Sequence, residues 1–304
     1  MSKAPRKLLL NDEGSSALHY LDLDAPSRSW SSPGPGRDLQ LIGGGRVLRS
    51  TPTGFVELAL EGGAKLREVV LDSITHIESA RRQPDGHTVV LGSQPDGVVL
   101  CELDVDGRAV PARRLFGPGL GKGRMVRHAL DGTLLFCSET DGRHLIHEAT
   151  WSGGIQTLFE VPAAFPADSM VKALRLDASR LVVSSGYAAS LLQIDTVRRE
   201  VQTIGGKQQP EPAGLRRPLS PHFFSGYQLL PNGDYLVANW QGHGPSHARD
   251  GYQLLRYSSD GTLVWCFDQT EYPHMTSLNN VIALDELDTS LLHDEQRGIL
   301  APVG

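Results

Sequence analysis

Residues 221–268 read PHFFSGYQLLPNGDYLVANWQGHGPSHARDGYQLLRYSSDGTLVWCFD, and the fold follows from this stretch. Residues 226–230 are an apolar-rich run ending in Pro231-Asn232-Gly233-Asp234, where Asn and Gly tolerate the positive φ of a tight turn. Residues 235–240, YLVANW, have the length of a buried strand, and a polar loop rich in Gly and His follows over residues 241–251. Residues 252–257 form a third strand, Ser258-Ser259-Asp260-Gly261 a turn, and residues 262–267 a fourth strand. Four short antiparallel strands in about 45 residues make one blade of a β-propeller, in which radial repetition protects most strand edges.

Working outward, the same grammar predicts blades over residues 38–71, 74–116, 124–161 and 171–206, besides 221–268. Setting Asp85-Gly86 beside Asp131-Gly132 aligns VVLGSQPDGVVLCEL with LLFCSETDGRHLIHEA, a weak internal repeat. Residues 6–31 supply three strands and lack an innermost one. The tail supplies the missing strand, SLNNVIALD, within residues 274–287. Pairing the last strand with the first segment removes an open edge. The expectation is therefore an all-β, six-bladed β-propeller of four-stranded antiparallel blades, with the ring closed by N- and C-terminal strands and one domain over residues 1–304. Only residues 288–295 and 165–172 offer a helical turn or two. In this reading His293-Asp294-Glu295 is a solvated turn in the tail.

A formal charge of −6 argues against nucleic acid and an anionic membrane surface as partners, because phosphate neutralisation needs a basic face. The opening MSKAPRKLLLNDEG has too short an apolar run for a secretory signal, and no segment approaches the about 18 apolar residues of a membrane span. Cys101, Cys137 and Cys266 are widely spaced in apolar runs and read as buried thiols in a reducing compartment, so the cytoplasm is the expected location.

The chemistry-bearing side chains are placed by the fold. In a propeller, the loops leading into the innermost strands and the loops between second and third strands share one face, where ligands bind. His76, His222 and His274 stand at the start of innermost strands. Lys122 and Asp168 hold similar positions, with Arg124 and Lys172 a little further in. The second loop set brings Asp12, Glu13, Glu139 and the block Asn239-Trp240-Gln241-Gly242-His243, with His247 beyond it. Converging imidazoles suit one divalent metal ion, held by His76, His222 and His274. They equally suit acid/base catalysis by His222, His274, His243 or His76 beside cations that hold an anionic substrate. Arg124, Lys172, Asn239 and Glu139 are the expected substrate-binding groups, and Trp240 is placed to stack on a sugar or aromatic ring. His144 and His147 fall on opposite faces of a third strand and read as structural. Gly117 to Lys122 lacks the spacing and helix of a phosphate loop, and Ser169-Met170-Val171-Lys172 straddles a strand start instead of lying on one helical turn.

LPNGDYLVANW followed by YQLLRYSSDGTLVWCFD resembles the blades of two propeller groups, the quinoprotein-like and arylsulfotransferase-like group and the gluconolactonase and strictosidine-synthase-like group. The second resemblance implies a divalent ion held by Glu, Asn and Asp at the channel, with Asn239 and Glu139 as counterparts. The first points to His222 and His243. The motifs are blade grammar and carry fold, not chemistry; the expectation drawn from the mouth and its histidines is a hydrolase or lyase acting on a small polar or carbohydrate-like molecule there. The alternative is a non-catalytic propeller that binds a ligand or a protein; it predicts a mouth without converging imidazoles.

Overall fold

The Asn-Gly and Asp-Gly steps turn the chain as their chemistry requires. Gly86, Gly132 and Gly233 have φ of +87°, +81° and +87°. The residue before each accepts a backbone N–H two positions on: Asp85 from His87 (2.9 Å), Asp131 from Thr133 (3.0 Å) and Asn232 from Asp234 (3.3 Å). These turns separate the first and second strands of three different blades. The structure is a computed structural model and describes residues 4–244, 246, 250–272 and 274–304.

Six four-stranded antiparallel blades result. Blade 1 orders Leu278–Ala283, Lys7–Asp12, Ala17–Asp22 and Trp30–Pro33 from the axis outward. The innermost strands of blades 2 to 6 are Leu39–Gly43, His76–Arg82, Arg127–His128, Ala173–Arg175 and Phe223–Leu229. Middle strands such as Gly97–Leu103 are buried throughout, and outermost strands such as Lys65–Val70 are largely exposed. The outermost strand of blade 1 begins at Trp30, after Pro26–Arg28 forms a 3-10 turn.

Each pair of neighbouring blades shares an apolar cluster. Phe55 and Leu48 of blade 2 meet Ala80 and Val90 of blade 3, and Leu8 and Val281 of blade 1 meet Leu236 and Leu254 of blade 6. A fully buried side chain of this kind contributes about 1.5–3 kcal/mol. Cys101 and Cys137 are buried and Cys266 half-buried, all three as free thiols. No helix among the described residues is long and apolar enough to cross a membrane.

The ring closes as the alternation of residues 278–283 requires, with Leu8 opposite Ala283 and Leu10 opposite Val281. A buried carboxylate fastens the junction. Asp12 accepts from Thr276 N (2.7 Å), Thr276 Oγ1 (2.8 Å) and Ser277 N (2.8 Å) across the chain ends. Burial works against the charge of Asp12, but these bonds and His19 hold its pKa well below the usual carboxylate range.

The tail departs from expectation. Residues 288–295 form no helix, and His293-Asp294-Glu295 is no solvated turn: His293–Arg297 and Ile299–Pro302 form a hairpin that pairs with blade 6 through Ile299 and Leu229. Asp294 and Glu295 are 3% and 4% exposed. They run up the axis into cations contributed by other blades. Asp294 bonds Arg81 and accepts from His128 Nδ1 (2.9 Å), while Glu295 takes Arg127 Nε (2.6 Å) and Lys172 Nζ (2.6 Å). Arg127 also makes a two-pronged pair with Asp38, at 2.8 and 2.9 Å. Three carboxylates thus balance three cations. The hairpin leaves a void of only about 10 Å³ on the axis, bounded by residues from all six innermost segments.

Removing one member strands its partners in a dry interior, which costs about 3–5 kcal/mol. Glu295→Ala is therefore expected to lose about that much in denaturant unfolding, and an unchanged midpoint would refute the pairing. Acid has a defined effect too. Burial opposes the charge on Asp38 and Asp294, but Arg127 and Arg81 at Asp38, and Arg81 and His128 at Asp294, hold both pKa values below normal. Their stabilisation is full above the unfolded value of about 3.9 and is lost as pH falls through the folded values. Thermal melts are expected to hold level down to about pH 4 and to fall below it.

Candidate functional site

On the face opposite the hairpin, the loops leave a cavity of about 210 Å³. Its floor is an apolar cluster of Met125, Val171, Phe223 and Trp240. The Met125 sulfur lies 3.8 Å from Arg127 Nη2, so one side chain separates the mouth from the ion pairs of the axis. Tyr187 completes an aromatic wall, edge-on to Phe223 with ring centres 4.6 Å apart.

The cationic side is organised by Glu78, which is 3% exposed. The register of its strand shifts between Ile77 and Ser79, an irregularity centred on this residue. Glu78 faces three cations: Arg37 Nε at 3.1 Å, Lys122 Nζ at 3.1 Å and Arg124 Nη1 at 3.9 Å. Burial, aided by Arg124 and Arg37, pushes the Lys122 ammonium down against the pull of Glu78. Burial and Arg37 likewise push Arg124 down. Positive charge is in excess here. The Arg124 side chain is 16% exposed, and its guanidinium makes no hydrogen bond among the described residues. The Arg124 Nη1–Glu78 contact at 3.9 Å is beyond hydrogen-bond distance, so the fork keeps donors for a ligand in the cavity.

Across the mouth, Glu13 ties two groups together. One oxygen accepts from Trp240 Nε1 at 2.6 Å and the other lies 3.0 Å from His243 Nδ1. The carboxylate orients the imidazole and leaves Nε2 for solvent or a ligand, as suits a proton-transfer group. The His243 side chain is 78% exposed.

Of the substrate-binding expectations, Arg124 and Trp240 line this cavity. Glu139 lies in an adjoining cavity of about 290 Å³ that shares Lys122, Arg124 and Ser169 with the first. Lys172 is not in the mouth; it is 3% exposed and held by Glu295 and the Tyr227 carbonyl (2.6 Å) in the channel below. Burial brings its ammonium down to about 8, with Glu295 pulling the other way. Asn239 is also structural: its amide accepts from His222 N (2.8 Å) and donates to Tyr252 O (2.8 Å) and Ser220 O (3.2 Å), bracing the loop before blade 6.

Of the histidines, His243 lines the mouth. His222 stacks on Trp240, with ring centres 5.9 Å apart, and meets Tyr187 edge-on. His274 is exposed and packs edge-on against His19 at 5.2 Å, and burial and His19 push its pKa down. His76 is exposed where the blade 3 innermost strand begins. His76, His222 and His274 do not form a group: among the described residues no three His, Cys, Asp or Glu side chains are arranged to hold a metal ion. His247 lies outside the described residues. His147 is buried, bonded to Ser138 (2.8 Å) and pushed down to about 4 by burial.

Glu78, Arg37, Tyr187 and Phe223 were not singled out in the sequence. A trace of Glu78 was there, a carboxylate inside the strand HIESARR, but nothing in the linear order says that residues 37, 122 and 124 converge on it.

No family model matches the chain, and no curated protein matches it. Solved structures do. A protein of unknown function from Bacteroides caccae is 19% identical over 91% of this chain and 98% of that one, with a TM-score of 0.69. A nidogen/laminin complex gives 14% identity over 92% and 99%, with a TM-score of 0.63. Virginiamycin B lyase from Staphylococcus aureus gives 14% over 88% and 82%, with a TM-score of 0.55. At these identities the likeness establishes the six-bladed propeller and nothing finer.

Glu78→Gln leaves three cations with no carboxylate between them. It is expected to lower stability by about 1.5–3 kcal/mol, the value of hydrogen bonds to charged groups. Added sulfate should restore more of the melting temperature in the variant than it adds to the wild type, and equal gains would refute the cation-excess reading.

Proposed function

We propose that this mouth binds a small molecule carrying an anionic group beside a ring or sugar face, and transforms it by proton transfer in a hydrolase- or lyase-type reaction. The observation that carries the proposal is that Arg124, which shares the single carboxylate Glu78 with Lys122 and Arg37, lines one cavity with Tyr187, Phe223 and Trp240. In this reading Arg124 and Lys122 orient the anion, and Trp240 and Phe223 pack on the ring. His243, oriented by Glu13, accepts or delivers the proton. A virginiamycin B lyase among the structural neighbours is in keeping with lyase chemistry on this scaffold.

The test is a panel of carboxylated, sulfated and phosphorylated aryl compounds and sugars, read first as thermal stabilisation and then as turnover. His243→Ala is expected to lower turnover of a positive compound by about 10²–10⁴-fold with an unchanged melting temperature. Arg124→Ala is expected to weaken binding by about 10- to 150-fold, the loss of a charge-assisted hydrogen-bonding group. If both variants turn over as the wild type does, the assignment fails.

A further inference from the structure

We infer that the anion recognised in the mouth is a dianionic phosphate monoester, which serves as a charge handle while the ring or sugar it carries is the part acted upon. This rests on the reading of the mouth given above and narrows it to one substrate class. Charge comes first. Arg37, Lys122 and Arg124 share one carboxylate, Glu78, and among the described residues no other lies within 4 Å of them, so two of the three positive charges have no ion-pair partner of their own. A carboxylate or sulfate ester neutralises one of them; a phosphate monoester above its second pKa neutralises both.

Shape comes second. Lys122 and Arg124 line two cavities at once, of about 210 and 290 Å³, with Ser169 at their junction. An anion on these cations is open to donors from both sides. A tetrahedral phosphoryl group presents three oxygens in three directions and can use both, whereas a carboxylate presents two oxygens in one plane. The donors are on hand: Arg124 reaches Glu78 only through Nη1, at 3.9 Å, and Arg37 through Nε, at 3.1 Å.

The experiment is isothermal titration calorimetry of the full chain with phenyl phosphate, phenyl sulfate, benzoate and inorganic phosphate, at pH 8 and pH 5. At pH 8 phenyl phosphate is expected to bind about tenfold or more tightly than phenyl sulfate, which has the same shape and one charge fewer. It should also exceed inorganic phosphate, which lacks the ring. At pH 5 the advantage over sulfate should shrink towards unity, as the phosphate takes up its second proton near a pKa of about 6. Glu78, Glu13, His243 and Tyr187 face the ligand together with the three cations, and Glu139 and Asp141 face it from the adjoining cavity. Both esters meet this same set, so their ratio reports the charge of the ligand. Lys122→Gln should reduce the ratio at pH 8, and Trp240→Ala should weaken both phenyl esters alike. Equal affinity for phosphate and sulfate esters at pH 8, or for phenyl and inorganic phosphate, would overturn the monoester and leave the anion-binding mouth standing. Absence of binding by all four would overturn both.

Discussion

The structure depends on two carboxylates that enter the ring from its own tail. Asp294 and Glu295 stand on the propeller axis and meet Arg81, Arg127 and Lys172, which come from three different blades. Each cation is nearly fully buried and would be very costly without a counter-charge. Asp38 completes the balance from blade 2. The hairpin is thus the counter-ion of the channel, and the innermost strands can carry arginine and lysine inward only because it is there. Apolar contacts between neighbouring blades hold each pair together, whereas the ion network ties non-neighbouring blades to one centre.

That arrangement fixes what the opposite face can be. With the axis filled, the mouth is a closed bowl instead of a through-channel, and Met125 is its floor. Two sets of cations lie on either side of this floor. The lower set is matched one for one by Asp38, Asp294 and Glu295; the upper set shares a single carboxylate, Glu78, within ion-pair distance among the described residues. The physical contrast between a satisfied set and an open one separates scaffold from site.

Much of the fold was legible in the chain because turns and strands are local. Pro231-Asn232-Gly233 and Asp131-Gly132 declare their turns through side chains that bond the backbone two residues on, and YLVANW declares a buried strand by composition. The composite blade was legible for a related reason: three strands at one end and one at the other leave two open edges that fit each other. The tail is not legible in this way, because His293-Asp294-Glu295 looks like any polar turn. What buries it is a set of cationic partners 123 to 213 residues away, from Lys172 back to Arg81, and no local pattern encodes that distance.

The sequence by itself therefore determined the blade grammar, the number of repeats and the loops that meet at one face, among them Arg124, Trp240 and His243. These follow from turn chemistry and strand periodicity, which act over a few residues. Only the tertiary structure decided that Lys172 and Asn239 serve the scaffold, that Glu13 orients His243, and that Arg37, Lys122 and Arg124 share Glu78. Whether a charged side chain is spent or available depends on the counter-charge that closure of the ring brings to it, and that is set by where the blades put it in space.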